Sequence, residues 1–369
     1  MKEKRIYYLD NLKIFLTCLV IAHHSAHAYG NIMGSWVYNN NTKNDWLYYL
    51  IVVNASFFMG LFFMISGYFI PKSLKKRNLR KFVIDKGVRL IFPVVIIMII
   101  IVPIYFYIAF NNKNPGIYSF FKYYSNFYVG QGKFSYEHGW FIVHLFLYSC
   151  IYALIASLFK DKHLIKKDRL NIIEVFLIAI VIGSLFFIIR FNYPTDRWIA
   201  LFGVIGMEPA HVSQYFLFFV IGILAYFNNW FENISKTQGC FFIVLGTLMA
   251  FLTYFNKLLP QKLWNVVWNN WGFYESFMGI FISFGLIFIF REFFDKCNKF
   301  FAQMSKCSFG AYIIHTLFVV IYQVLLDNID LCPTIKFLIV TILSIITSFG
   351  LVYLYTKMKS LIRCDIMKK

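Results

Sequence analysis

The chain has 369 residues, of which 60% are hydrophobic and only 14% charged, and phenylalanine alone occurs 45 times. That much apolar surface excludes a soluble domain of this size and defines an all-α, polytopic membrane protein. The formal net charge of +19 does not point to nucleic acid, because the basic residues sit between apolar runs, where they orient helices in a lipid bilayer.

In chain order, the segments apolar enough to span are 10–30, 46–70, 88–110, 138–159, 171–191, 213–228, 239–255, 270–290, 308–326 and 335–356, the sixth and seventh being short. About ten transmembrane helices place both termini on one side. With that side cytoplasmic, residues 1–13, the loops 71–89, 160–170, 229–237 and 291–306, and the tail hold 27 of the 36 Lys and Arg. This asymmetry predicts cytoplasmic N- and C-termini. Residues 1–369 are expected to form a single membrane domain, with no internal repeat and no matched pair of Gly/Pro-broken helices. The seven cysteines (18, 150, 240, 297, 307, 332 and 364) show no paired spacing. They are read as reduced, with neither a disulfide framework nor a metal site.

The first segment carries the strongest chemical signal. Leu9-Asp10-Asn11-Leu12-Lys13 opens it, Ile14 to Ala22 is almost wholly apolar, and His23-His24, Ser25 and His27 follow. Lys13 and His24 are eleven residues apart, three helical turns plus about 20°, which puts them on one face about 16 Å from each other. Ionisable groups at such depth are costly and are kept where they face a polar interior or do chemistry. A neutral imidazole can take a proton from a hydroxyl, while a cation on the same face can hold an anion or orient a carboxylate. The competing reading makes these histidines an outer-interface cap. A cleavable leader is also imitated by Lys2-Glu3-Lys4-Arg5 and the following run, but the Asp10–Lys13 patch interrupts it.

The next signal is the stretch Pro71–Arg89, with eight Lys/Arg against the single acid Asp85. Lys86 and Arg89, three apart at the start of the third span, fall on neighbouring positions of a regular helix. Such a pair suits the phosphates of a nucleotide-like donor, Arg by its fork and Lys as a point charge. Ordinary positive-inside charge, or contact with anionic lipid, is the alternative. On the other side, 111–137 is polar and aromatic, with turns marked by Asn-Pro-Gly at 114–116 and Gly-Gln-Gly at 130–132. It is expected to be the longest outer loop.

Isolated polar residues complete the set: His138 and Trp140 at the start of span four, Glu208 and His211 before span six, Glu275 in span eight and His315 in span nine. Singly, each is as readily a packing residue with one hydrogen bond as a functional one.

Several of these motifs resemble the acyltransferase-3 family of integral membrane acyltransferases. Leu9-Asp10-Asn11-Leu12-Lys13…His23-His24 resembles its first helix, and Phe57 to Tyr68, which includes Ser66-Gly67, its second. Lys86-Gly87-Val88-Arg89 resembles its Arg-x-x-Arg motif, His138-Gly139-Trp140-Phe141 its His-x-Trp-Phe segment, and Ser308 to His315 its late Ser-Tyr-x-x-Tyr-x-x-His helix. The matches run in order over nearly the whole chain and look closest to the branch that includes glucan succinyl-transferring proteins. Lys13 and Lys86 stand where arginines are usual, keeping charge but losing the fork, and Phe309 stands where a Tyr is expected.

The resemblance implies transfer of an acetyl- or succinyl-type group from cytoplasmic acyl-CoA to a hydroxyl of an extracytoplasmic or membrane-linked acceptor. That acceptor is expected to be a carbohydrate or glycolipid, at a bacterial cytoplasmic membrane. Acyl-CoA is then a co-substrate, with no tightly bound cofactor. The expected catalytic set is His24 as general base with Lys13, Glu275 and His315. Lys86, Arg89 and Ser66 are expected at the donor, and His138, Trp140, Glu208 and His211 at the acceptor. A transporter or flippase that moves an acyl or glycan species without bond chemistry would share the helix count and the buried histidines.

Overall fold

In the computed structural model the described residues are 5–31, 36–132, 135–159, 166–195, 197–201, 205–256, 259–296 and 298–366. Eleven main helices follow in chain order: α1 (Tyr7–His27), α2 (Asp45–Lys75), α3 (Leu79–Lys113), α4 (Glu137–Leu158), α5 (Ile172–Arg190), α6 (Pro209–Asn228), α7 (Lys236–Tyr254), α8 (Gln261–Asn269), α9 (Trp271–Phe293), α10 (Lys299–Leu325) and α11 (Pro333–Ile366). Between α5 and α6, strands β1 (Ile199–Leu201) and β2 (Ile205–Met207) pair antiparallel, with Ala200 opposite Gly206. Among the described residues, nine of these helices are long and apolar enough to cross a membrane: α2 to α7 and α9 to α11. α1 adds 21 residues, about 31 Å of helix. Its apolar run is diluted by Asp10, Asn11, Lys13 and three histidines, so it falls outside the nine.

Two expected loops turn out to be largely helical. The basic stretch 71–89 shrinks to residues 76–78, because α2 continues to Lys75 and α3 begins at Leu79. Asn78 caps α3, its side chain accepting from the Lys81 amide at 2.8 Å, and straight-chain Lys and Arg propagate a helix well. The outer stretch 111–137 is no open loop either. α3 runs to Lys113, a helical turn at Phe120–Tyr123 passes into a π turn at Tyr124–Val129, and Tyr128 donates from its hydroxyl to the Met98 carbonyl at 2.5 Å. Gly116 and Gly132 supply the left-handed turns, at φ 75° and 62°. Capping boxes at Asn171/Glu174 and Ser235/Gln238 start α5 and α7.

The chain divides into two compact units, each assembled from separated segments. The first takes residues 1–51, 93–139 and 296–369. Within it α1 packs on α10 and α11, and α10 also packs on the second half of α3. Its core includes Ile14, Ile21, Tyr29, Tyr38, Cys307, Ala311, Val319 and Phe337. The loop after α1 is pinned onto this core. Tyr38 donates to the Asp327 carboxylate, whose other oxygen accepts from Asn112 at 2.8 Å. Burial first, and then that carboxylate, pushes the Tyr38 phenol pKa up, so it remains a donor.

The second unit takes residues 52–92 and 140–295. Here α9 lies against α5 and α7, α5 against α6, and the first half of α3 against α4. α2 and α6 meet backbone to backbone through two glycines. A Cβ on Gly222 would lie 1.9 Å from the Met64 carbonyl oxygen, and one on Gly67 would lie 2.0 Å from that of Phe219. Small residues at such crossings let membrane helices gain van der Waals contact that lipid cannot supply. Gly222→Val is therefore expected to lower the unfolding temperature of detergent-solubilised protein, at a cost of about 3 kcal/mol. Gly350→Ala, where an added Cβ meets nothing within 4 Å, should not destabilise the protein and should gain up to about 1 kcal/mol of helix propensity. Equal unfolding temperatures for the two variants would contradict the close approach.

Candidate active site

Helical periodicity builds the site in the first unit. On α10 the buried residues Ser308, Tyr312, His315, Thr316, Val319 and Gln323 recur every three or four positions, so they form one stripe down the helix. That stripe meets the last turns of α1, where His23, His24 and His27 cluster. The rings of His24 and His315 lie 5.2 Å apart between centroids. His138, in the tight turn that opens α4, lies 5.1 Å from His315. Trp36, from the loop after α1, stacks on His24 at 5.2 Å and tilts over His27 at 5.4 Å. The structure thus gathers His24, His138 and His315, three residues that sequence reasoning nominated separately.

Main-chain carbonyls decide where the ring hydrogens sit. His315 Nδ1 lies 2.6 Å from the Tyr312 carbonyl oxygen. A carbonyl only accepts, so the hydrogen is on Nδ1 and the neutral ring leaves Nε2 as a bare lone pair. His138 is the reverse case. Its Nε2 donates to the Ile313 carbonyl at 3.0 Å, and its Nδ1 accepts from the Thr316 hydroxyl at 3.2 Å. Tyr312 donates from its hydroxyl to the His138 carbonyl. Gln323 is fixed as well, because an indole N–H only donates. Trp36 Nε1 donates to Gln323 Oε1 at 2.9 Å, which turns the Gln323 amide nitrogen toward the Ser25 carbonyl at 3.3 Å. The last carbonyls of α1 thereby find a donor that the helix itself cannot supply. His23 and His27 face each other, Nε2 to Nε2, at 3.2 Å. His24 Nδ1 and His315 Nε2 are buried ring nitrogens with no hydrogen-bond partner among the described residues.

Lys13 does not join this group. It lies at the other end of α1, its ammonium 2.8 Å from Asp10, whose second oxygen takes Arg5 at 2.5 Å. The nearby acid decides this, since i,i+3 neighbours on a helix meet whereas residues three turns apart do not.

A second polar group forms within the second unit. His211 stands between two carboxylates, with Nδ1 2.7 Å from Glu208 and Nε2 3.1 Å from Glu275. Arg190 reaches the other Glu275 oxygen at 2.7 Å and lies 4.4 Å from the Phe186 ring centroid. Tyr215 stacks between His211 and Trp140, at 5.8 and 5.1 Å. Glu208, His211, Glu275 and Trp140 therefore form one cluster, made of two acids, two basic side chains and an aromatic stack.

The expected donor residues also lie in the second unit. Ser66 is half-buried on α2 beside Gly67, Lys86 is half-buried with its ammonium 5.6 Å from the Phe82 ring, and Arg89 is exposed. Arg89 lies inside a π turn at Gly87–Ile91 that begins directly after Lys86. With i→i+5 bonding there, the alignment that a regular helix gives to i,i+3 residues is lost. The pair thus departs from the single regular face that its spacing suggests.

Sequence reasoning passed over Trp36, Thr316, Gln323 and Arg190 as site residues. Gln323 had a usable signal, being a polar residue one heptad beyond Thr316 inside an apolar span. Arg190, at the end of its span, is indistinguishable in sequence from an ordinary terminal charge.

The comparisons give the class first. The family described as Acyltransferase domain matches residues 6–354, which takes in both units. The chain belongs to the acyltransferase-3 family and is a membrane acyltransferase that transfers groups other than aminoacyl groups, which sets aside a transporter without bond chemistry. Among individual proteins it is similar to the Glucans biosynthesis protein C of Salmonella paratyphi B, of Salmonella dublin and of Salmonella enteritidis PT4. Each is 25% identical over 275 residues, covering 70% of this chain and 67% of the relative. No solved structure matches the chain.

The ion-paired cluster of the second unit makes a stability prediction. Arg190→Met strips Glu275 of its cationic partner and should destabilise the solubilised protein by about 3–5 kcal/mol. Arg190→Met combined with Glu275→Gln should lose less than Arg190→Met alone. Thermal unfolding of the three proteins checks this, and a double variant no more stable than the single would contradict it.

Proposed function

We propose that the protein moves an acetyl- or succinyl-type group from cytoplasmic acyl-CoA to a hydroxyl of an extracytoplasmic or membrane-linked carbohydrate, with His24 as general base. The printed name of the Salmonella relatives supports a glucan-like acceptor. The observation that carries the reading is the convergence of His24, His315 and His138 under Trp36 in a family whose reaction needs a base. His24 is half-buried while His315 is fully buried, which favours His24 as the ring that meets the incoming hydroxyl. Removing the hydroxyl proton as oxygen attacks the thioester carbon is worth about 10²–10⁴-fold in rate. The acyl carbon–sulfur bond then breaks, and the proton returns to the departing thiolate.

The donor side of this reading uses the cations at the α2–α3 junction and places both termini in the cytoplasm of a bacterial cell. Loop charge supports that orientation. Cysteines introduced one at a time at residues 75–81 should be labelled only from the cytoplasmic face; labelling by an impermeant reagent outside intact cells would reverse the topology and the donor side together. Arg89→Ala should weaken acyl-CoA binding, and Arg89→Lys should do so less without being neutral. Wild-type affinity in both variants at moderate salt would reduce these residues to a topology signal.

His24→Ala should abolish acyl transfer while leaving the amount of membrane-inserted protein unchanged. His23→Ala is the internal control, since its Nε2 faces His27 rather than His315, and should be milder. Transfer rates normalised to inserted protein decide the matter. Near-normal turnover by His24→Ala would remove the base role.

A further inference from the structure

We infer that His315 is the positioning residue of His24: in the working site, His315 Nε2 accepts the hydrogen of His24 Nδ1, which leaves His24 Nε2 as the lone pair that meets the acceptor hydroxyl. The inference rests on the reading of His24 as the base and adds what fixes its tautomer.

Three observations on one side of the first unit carry it. His24 Nδ1 and His315 Nε2 are both buried and both lack a partner among the described residues. Buried polar atoms are seldom left so, because water cannot replace the missing bond. The two rings lie 5.2 Å apart between centroids with 40° between their planes, so a modest turn of the His24 ring about its side-chain torsions, with His315 held by the Tyr312 carbonyl, would bring the two nitrogens toward hydrogen-bond reach. Their roles are complementary. His315 Nδ1 has committed its hydrogen to the Tyr312 carbonyl, so its Nε2 can only accept while the ring is neutral, and His24 Nδ1 is the donor it lacks.

His138, Gln323 and Trp36 do not compete for this bond. His138 is satisfied at both nitrogens by the Ile313 carbonyl and the Thr316 hydroxyl. Gln323 is occupied at both ends by Trp36 and the Ser25 carbonyl. Trp36 stacks on His24 and has its only polar atom turned to Gln323. The resulting chain runs from the Tyr312 carbonyl through His315 to His24 Nδ1, and His24 Nε2 is its open end. It has the logic of a base held in one tautomer by a third group, with a neutral imidazole in place of a carboxylate.

The proton balance is simple. As the hydroxyl oxygen bonds to the carbonyl carbon of the acyl thioester, its proton moves to His24 Nε2. As the carbon–sulfur bond breaks, that proton passes to the thiolate sulfur. His315 neither gains nor loses a proton. It steadies the cationic form of His24 by accepting from Nδ1 throughout.

The test uses the full-length protein in lipid nanodiscs and two readouts. The first needs no acceptor: site-resolved carbethoxylation by diethylpyrocarbonate, followed by mass spectrometry, reports the nucleophilicity of each imidazole. In the wild type His24 should react faster than His23. His315→Phe, which keeps a flat ring but removes the acceptor, should slow His24 about tenfold or more, as loss of an outer-shell partner does elsewhere. His315→Gln, whose side-chain oxygen can accept from Nδ1, should recover much of the rate. The second readout is thiol release from acetyl-CoA with a glucan oligosaccharide as acceptor. His315→Phe should lower kcat with the KM for acetyl-CoA unchanged, His315→Gln should restore part of it, and His315→Phe should cost nothing more in a His24→Ala background. Wild-type carbethoxylation of His24 in His315→Phe, or no rescue by His315→Gln at equal thermal stability, would overturn the inference. If His315→Phe does not fold, a wild-type His24 no faster than His23 overturns it equally. Full turnover by His24→Ala would instead remove the base reading, and the carbethoxylation rates would still report the His24–His315 bond.

Discussion

A ring nitrogen buried in a hydrocarbon interior has no water to turn to, and the inner stripe of α10 is organised around that constraint. Each polar atom there must find a partner in protein or leave a large penalty. Most find one in the main chain: Tyr312 at the His138 carbonyl, His138 at the Ile313 carbonyl, and Gln323 at the end of α1. Because these partners lie on different segments, satisfying them also fixes how α1, α10, the loop after α1 and the turn before α4 meet within the first unit. Packing supplies the attraction, and the hydrogen bonds select the register. His24 Nδ1 and His315 Nε2 stand out against neighbours that are paired in this way.

The second unit meets the same constraint by a different route. Its buried ionisable groups neutralise one another locally, with two carboxylates against His211 and Arg190. An arrangement of this kind does little for net stability compared with apolar residues of similar shape, but it strongly resists removal of any one member. The glycine contacts between α2 and α6 supply the close packing there. One unit thus holds neutral imidazoles in defined tautomers, and the other holds compensated charges.

Much of this was legible in the amino-acid sequence, and the exceptions have physical causes. The run from Lys13 to His24 announces a helix with ionisable groups at depth, and the spacing from Ser308 to His315 announces a stripe, so both walls of the site could be named in advance. Their meeting could not be, because proximity between α1 and α10 depends on packing some 290 residues apart in sequence. Trp36 was out of reach for another reason: a tryptophan in a polar loop beside a membrane reads first as an interface anchor. The π turns at Gly87–Ile91 and Ile97–Ile101 leave no trace in composition. The first of them begins directly after Lys86 and contains Arg89, so the i,i+3 geometry of a regular helix does not apply to that pair. Charge marks the basic stretch 71–89 but does not show that it is mostly helical, since charge alone does not distinguish a helix end from a linker.

The hydrogens of His315 and His138 are placed by two successive carbonyls of α10, those of Tyr312 and Ile313. A carbonyl belongs to the backbone and is the same whatever side chain its residue bears. The proton pattern of the site is therefore inherited with the helix itself: positions 312 and 313 can change identity, and the two imidazoles will still present opposite nitrogens. Substituting either residue would leave the atoms that set this pattern in place, and a designer who wished to alter it would have to bend the helix rather than replace a side chain.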